Sequence, residues 1–200
     1  MSVLGIDVGT SGCKSVVFSE TGAILAAAYQ EYDFQAAQPG WAELDSREVW
    51  EKIQQTIRAA ASQAISYPIK AVCASSCGEA VVPVSPDRQI LGASLLNFDV
   101  RGLNYVEQLR RRFDAEAFYE LNGNTIGNNY TLPKLLWIRD HQPELYARTY
   151  KFLHWGSFVP FMLGSEPSID FSLANRSLLF DLNRETWSEE IAQQTGIDLT

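Results

Sequence analysis

The chain has 200 residues, 46% hydrophobic and 20% charged, with a formal net charge of −8. That size supports one good-sized domain with its own core. The acidic balance, with no basic cluster beyond Arg110-Arg111-Arg112, argues against a nucleic-acid partner. The amino terminus carries no basic, signal-like segment, and no run of about 18 apolar residues offers a membrane span, so no membrane partner is expected. Cys13, Cys73 and Cys77 lack C-x-x-C spacing, and only His141 and His154 are present to help them hold zinc. Three free thiols in a cytoplasmic chain are the expectation.

In chain order, Val3, Leu4, Ile6 and Val8 predict a buried strand and Ser15–Phe18 a second, joined by the short turn Gly9-Thr10-Ser11-Gly12. Glycines at 9 and 12 permit positive φ and let a ligand approach the main chain. Successive N–H groups in such a turn form an anion nest, with the Thr10 and Ser11 hydroxyls as further donors. Asp7 puts a carboxylate beside it, which suits a phosphate arriving with Mg²⁺, and Lys14 can neutralise charge on the same ligand. Spacing alone fits an ordinary hairpin with a surface aspartate equally well. Neither a Walker loop nor a G-x-G-x-x-G fingerprint is present.

Glu20-Thr21-Gly22 is a tight turn before a third antiparallel strand, Ala23–Tyr29. The loop Pro39–Asp45 leads into an amphipathic helix over 46–66, capped by Asp45 or Ser46. The apolar run 69–75 reads as a buried strand of an α/β sheet. It delivers Ser75-Ser76-Cys77-Gly78-Glu79 to the carboxyl end, where open α/β sheets bind ligands. Val81–Val84 follows, with Pro83 marking an edge or bulge. In Asn97-Phe-Asp-Val-Arg101, extended backbone would point Asp99 and Arg101 to one side, either into one pocket or into a mutual surface ion pair. A helix is expected over 103–118, with Arg110–Arg112 on its solvated face. The Asn- and Gly-rich loop 121–130 is of a kind that decorates surfaces or lines sites. Helices start at Thr131 and near Pro143, each with a proline in its first turn, and His141 is read as a surface residue at a helix end. Tyr150–Trp155 is a strand or helix entry, and Phe158–Gly164 a short buried helix with Gly164 as its C-cap. Asp170 is read as a cap, and 186–196 as a last helix ending at glycine.

Gly5-Ile-Asp-Val-Gly-Thr-Ser-Gly-Cys-Lys14 resembles the first phosphate motif of the actin-like ATPase superfamily. Pro39-Gly-Trp-Ala-Glu-Leu-Asp-Ser-Arg-Glu-Val-Trp50 resembles the P-G-W-x-E-x-D-P-x-x-W-W of the FGGY carbohydrate kinases. Ser76-Cys-Gly-Glu79 and Asn97-Phe-Asp-Val-Arg101 stand where that family has G-Q-M-H-G or N-Q-R-E, then W-x-D-x-R. Pro133-Lys-Leu-Leu-Trp137 is similar to a further family stretch. The resemblance implies a ribonuclease-H-like (actin-like ATPase) α/β domain, a mixed sheet that begins with an antiparallel hairpin and is flanked by helices. It implies that residues 1–200 form the amino-terminal, sugar-binding lobe of a kinase using ATP and Mg²⁺, with the second domain and the catalytic aspartate outside it. No catalytic base is then expected within the chain.

On that resemblance Gly9, Thr10, Ser11, Gly12 and Lys14 hold phosphate, and Asp7 orders Mg²⁺ through water. Cys77, Gly78, Glu79, Asp99, Arg101 and Asn129 line the site for a sugar, ketose or polyol. Glu79 matches a glutamate of the glycerol-kinase version that hydrogen-bonds substrate hydroxyls, and a carboxylate accepts from two adjacent O–H groups. Cys77, Gly78 and Asn97 depart from the family's larger residues, so the pocket has a different shape and the sugar stays open. The Pro39–Trp50 stretch is expected to pack and cap only. A homodimer of the whole protein stays open too. The competing readings are a non-catalytic nucleotide module of the Hsp70 or actin type, which lacks the Pro-Gly-Trp-Ala-Glu and Asp-x-Arg stretches, and a sugar-sensing regulator. The cysteine-rich zinc motif of ROK kinases has no counterpart.

Overall fold

The computed structural model describes residues 1–199. Strand β1 (Ser2–Val8) alternates as expected, with Leu4, Ile6 and Val8 in the core and Val3 and Asp7 turned outward. It pairs antiparallel with β2 (Gly12–Ser19), Val8 opposite Cys13 and Asp7 opposite Lys14. β3 (Ile24–Glu31) pairs antiparallel with β2. After the two-residue strand β4 (Glu43–Leu44) comes helix α1 (Ser46–Gln63). Its N-cap is Asp45, whose carboxylate accepts from the Arg47 and Glu48 amides and so meets two donors that the first turn leaves unpaired. Val49, Ile53 and Ala60 form the buried stripe of α1, and the Thr56 hydroxyl bonds that of Ser15 at 2.8 Å inside the helix–sheet interface.

The chain returns as β5 (Ile69–Ser76), parallel to β1, giving the sheet order β3-β2-β1-β5. The expected buried strand is corrected here. Among the described residues β1 is the one strand paired with β5, and the side chains of β5 are largely uncovered, with Val72 46% exposed and Cys73 exposed as well. A residue run that is apolar enough for a buried strand does not reveal which of its faces other elements will cover. Next come β6 (Val81–Val84), β7 (Ser94–Leu95) antiparallel to β4, and a 3₁₀ turn over Val100–Gly102.

The helix expected over 103–118 is two helices, α2 (Leu103–Arg112) and α3 (Ala115–Asn122). Phe113 is extended, and the Asp114 carboxylate restarts the helix by accepting from the Glu116 and Ala117 amides. Gly123 closes α3 at φ 77°, the left-handed conformation of a glycine cap. Helices α4 (Thr131–His141) and α5 (Pro143–Arg148) follow, then β8 (Lys151–His154), antiparallel to β6, and α6 (Trp155–Met162). Asp170 caps α7 (Phe171–Arg176) through the Leu173 amide, as read from sequence. The last expected helix is shorter at its start. Thr186–Trp187 is a strand, β10, paired with β9 (Phe180–Asp181), and α8 (Glu189–Thr195) begins under a Ser188 cap.

Two cores result. One lies between α1, α6 and the sheet, around Ile6, Val17, Ile53, Trp155 and Phe158. The other joins α2, α4 and α8 around Val106, Leu132, Leu136, Leu178 and Ile191. Among the described residues no helix is long and apolar enough to cross a membrane. Cys13 is buried and its thiol is pushed up by desolvation, and Cys77 is pushed up to about 12 by burial and then by the charge of Glu79. Alkylation by iodoacetamide at pH 8, mapped by mass spectrometry, is therefore expected to label Cys73 fast and the other two slowly. Equal rates at Cys73 and Cys77 would contradict the packing of the segment after β5.

Candidate functional site

The hairpin turn lies at the carboxyl end of β1. It is closed by the Gly9 amide donating to the Gly12 carbonyl at 2.9 Å, and the buried Tyr32 hydroxyl bridges the Gly9 and Gly12 carbonyls at 2.7 and 3.0 Å. Neither glycine has positive φ, so the left-handed backbone that glycine permits is not used at either position. Glycine at 12 is required for another reason. A Cβ there would lie 2.7 Å from Tyr29 Cζ, 2.8 Å from the Gln30 carbonyl oxygen and against Tyr29 Oη. Thr10, Ser11 and Lys14 are exposed, and both hydroxyls are free of hydrogen bonds to described residues. These donors fit a phosphate group. Asp7, exposed and directly across from Lys14, has the hard oxygen donors that suit Mg²⁺ through water. No group of three or more His, Cys, Asp or Glu among the described residues forms a direct metal cage.

The next candidate segment starts on the same strand end, because the Cys77 amide donates to the Val8 carbonyl at 2.9 Å. Gly78 lies along Arg176, with room for a Cβ at 3.7 Å from Arg176 Cγ. Glu79 is 8% exposed and paired with Arg176, whose Nε and Nη2 both donate to Oε1. Oε2 makes no hydrogen bond to a described residue, so a buried carboxylate keeps one acceptor oxygen open. The Arg176 guanidinium is itself held over the Tyr130 ring, 4.6 Å from its centroid.

Asp99 and Arg101 do lie together, but not by the expected extended geometry. Asp99 is the N-cap of the 3₁₀ turn and accepts from the Arg101 amide at 2.9 Å, while its carboxylate grips the Arg101 guanidinium at 2.7–3.0 Å. Nor is this a surface pair, since Asp99 is 0% and Arg101 7% exposed. Asp99 Oδ2 also accepts from the Ala42 amide at 2.6 Å, and Arg101 Nη2 donates to Glu43 at 2.7 Å. Trp41 and Trp137 cover the guanidinium at 4.1 and 4.9 Å. The Pro39–Trp50 stretch, read from sequence as packing and capping, thus supplies an amide, a carboxylate and an indole to the candidate pair. Of the Arg101 nitrogens only Nη1 has no hydrogen bond to a described residue. Asn129 is exposed and free of such bonds, whereas its neighbour Asn128 is anchored, Nδ2 donating to the Asp99 carbonyl at 2.7 Å.

Sequence reasoning missed Arg176, Asn128, Tyr32 and Lys134. The signal for Lys134 was the Pro-Lys-Leu-Leu-Trp stretch itself, but nothing local marked that lysine as buried. A cavity of about 570 Å³ lies behind the candidate site and contains none of its residues. Thr131 separates the two. Its hydroxyl donates to the Glu79 carbonyl at 2.8 Å, so its lone pair receives the Nε2 proton of His154, 3.1 Å away, which fixes the tautomer of that histidine. Burial holds His154 neutral, its pKa pushed down to about 4.

Solved structures share this fold. The xylulose kinase of Rhodospirillum rubrum superposes with a TM-score of 0.92 at 23% identity, covering all of this chain and 41% of that one. The Plasmodium falciparum glycerol kinase with ADP matches at a TM-score of 0.92 and 19% identity, covering 98% of this chain and 41% of that one. The fold is therefore the α/β fold of this region of sugar kinases. Among curated proteins, the xylulose kinase of Bacillus subtilis (strain 168) is 30% identical over 200 residues, 98% of this chain and 39% of its own length. The autoinducer-2 kinase of Salmonella typhimurium is 29% identical, over 98% of this chain and 38% of its own length. The description "FGGY family of carbohydrate kinases, N-terminal domain" matches residues 2–200, and the chain belongs to that family. It spans about two-fifths of the length of these relatives.

Two outcomes test the packing around the site. Gly12→Ala is expected to cost about 1–3 kcal/mol in urea unfolding, because Tyr29 and the Gln30 carbonyl have to move; an unchanged midpoint would contradict the close approach. His154 binds a proton more readily unfolded than folded, so stability drops as pH falls from about 6.5 to about 4. Compared with His154→Gln, wild type should lose on the order of 3 kcal/mol more across that window, and parallel stability curves would remove the burial argument.

Proposed function

We propose that this chain is the acceptor-binding lobe of a kinase that moves the terminal phosphoryl group of ATP to a hydroxyl of a sugar or polyol. The observation that carries the reading is Glu79, a nearly buried carboxylate clamped on one oxygen by Arg176 and open on the other, one segment away from an exposed hydroxyl- and lysine-bearing turn.

Each residue has a job that follows from its contacts. Glu79 Oε2 accepts from an acceptor hydroxyl, and the Arg176 clamp fixes its direction. Arg101 offers Nη1 as a donor, Asp99 lies behind it and orients the guanidinium, and exposed Asn129 brings an amide to the rim. Cys77, held as a neutral thiol, and Gly78 shape the floor. Bound ATP supplies the phosphoryl group and Mg²⁺ screens its charge. Thr10, Ser11 and Lys14 would hold phosphate oxygens, Gly9 would let the backbone come close while Gly12 keeps the turn packed on Tyr29, and Asp7 would order the water around Mg²⁺. Both sides converge because Cys77 is bonded to the end of β1. The names of the relatives make a ketopentose such as xylulose the first acceptor to try.

The test is acceptor-dependent ADP release by the complete protein over ketoses, aldonates and polyols. Glu79→Ala is expected to lower kcat/KM for the preferred acceptor by at least about 10²-fold, since it removes the acceptor contact and frees a clamped arginine. The 200-residue chain alone is expected to show no turnover. A Glu79→Ala enzyme with wild-type kinetics, or a complete protein that no acceptor stimulates, would overturn the proposal.

A further inference from the structure

Lys134 is 1% exposed, and none of the roles above uses it. It stands one turn into α4. Its ammonium donates to three backbone carbonyls, those of Asn97 at 3.2 Å, Tyr130 at 3.2 Å, and Asn128. An ammonium has three protons, so each is used, and Lys134 has none left for a ligand. Among the described residues no carboxylate lies within ion-pair distance of it. Burying an unpaired ammonium is costly, and a methionine of similar volume would fill the space without that cost. What lysine alone supplies here is three donors radiating from one point.

The three carbonyls belong to two segments far apart in sequence. Asn97 opens the Asn97–Arg101 segment, and Asn128 and Tyr130 flank Asn129. Other contacts run along the same seam. Asn128 Nδ2 donates to the Asp99 carbonyl, Thr131 Oγ1 donates to the Glu79 carbonyl, and the Tyr130 ring supports the arginine that clamps Glu79. Gly102 is pressed so close that a Cβ would fall 2.7 Å from Asn128 Oδ1 and 2.8 Å from Pro133 Cβ. We infer that Lys134 is a positioning residue for the acceptor site, a three-way tie that joins the Asn97–Arg101 segment to the Asn128–Tyr130 segment and so presents Arg101, Glu79 and Asn129 together. The inference rests on the acceptor-site reading proposed above.

Losing its proton would break the tie locally, because the amine has two donors and turns a lone pair on a carbonyl oxygen. Asp99 and Glu79 favour the charged form, Arg101 and burial oppose it, and burial prevails, pushing Lys134 down to about 8. The sign for the whole fold is opposite. Between about 8 and the ordinary lysine value of 10.5 the unfolded chain binds more protons, so this group makes global stability rise with pH in that window. A weakened acceptor site above pH 8 thus comes without a matching loss of global stability from Lys134.

Lys134→Met is the test, in this chain and in the complete protein. By amide hydrogen exchange in this chain, segments 97–103 and 123–130 are expected to exchange at least about tenfold faster together, with β1 and β2 unchanged. In the complete protein with xylulose as probe, acceptor KM should rise at least about tenfold while KM for ATP stays within about twofold. Wild-type acceptor KM should climb as pH passes about 8, and the variant should show no such step. Unchanged exchange in both segments, an unchanged acceptor KM, or acceleration spread evenly over β1–β3 would each overturn the inference. If the complete wild-type protein uses no acceptor, the kinase reading fails by itself, and the exchange result still decides whether Lys134 ties the two segments. Should the methionine variant not fold, Lys134→Gln, which keeps two donors, is read by the same exchange pattern.

Discussion

The burial of Arg101 is the constraint on which this half of the molecule depends. A guanidinium taken out of water must have both its charge and its donors met. Asp99 meets it with a carboxylate fixed by two backbone amides, Glu43 adds a second carboxylate, and two indoles cover its faces. These partners come from the Pro39–Leu44 loop, the turn after β7, and α4. The β4–β7 pair has only two residues on each side, too short to hold itself, so the ion cluster and the short ladder support one another. The surface pair that the spacing of an aspartate and an arginine would have formed contributes little, whereas a desolvated one dictates where three elements sit.

Arg101 and Lys134 divide the work according to their shapes. The planar fork of arginine matches carboxylates and stacks on aromatic faces, and it is used for both here. The compact ammonium of lysine radiates donors in three directions, and it is used to gather carbonyls from two segments. Arg176 repeats the first pattern at Glu79, with Tyr130 as its aromatic support. The candidate acceptor site is thus framed by cations that are spent on protein groups, which leaves a few defined atoms, such as Glu79 Oε2 and Arg101 Nη1, open. The link from Cys77 to Val8 then sets this frame beside the hairpin turn, so both candidate segments start from one strand end.

Much of the fold was legible in the sequence because the signals involved are local. The alternation Leu4, Ile6, Val8 fixes which face of β1 is buried, Asp45 stops the chain at the start of α1, and Asp170 caps α7, each through contacts within a few residues. The breaks in the expected helices at Phe113 and at Thr186–Trp187 were less visible. Asp114 and Ser188 are ordinary capping residues, but capping competes with helix continuation on nearly equal terms, and packing decided it. The exposure of β5 could not be read from its composition, since an apolar run looks the same whether or not other elements cover its faces.

The candidate site divides along the same line. The residue types and their order, Asp7 with the Gly9–Lys14 turn, Glu79, and the Asp99–Arg101 pair, were present in the sequence and carried the family resemblance that the comparisons bear out. Tertiary structure decided what each of them contacts. It made Asp99 a buried brace, closed the hairpin turn with Tyr32, and supplied Arg176, Asn128 and Lys134 from segments that no short pattern links. The physical reason is that a motif specifies chemistry over a few neighbouring residues, while burial and hydrogen-bond saturation are settled only when distant segments meet.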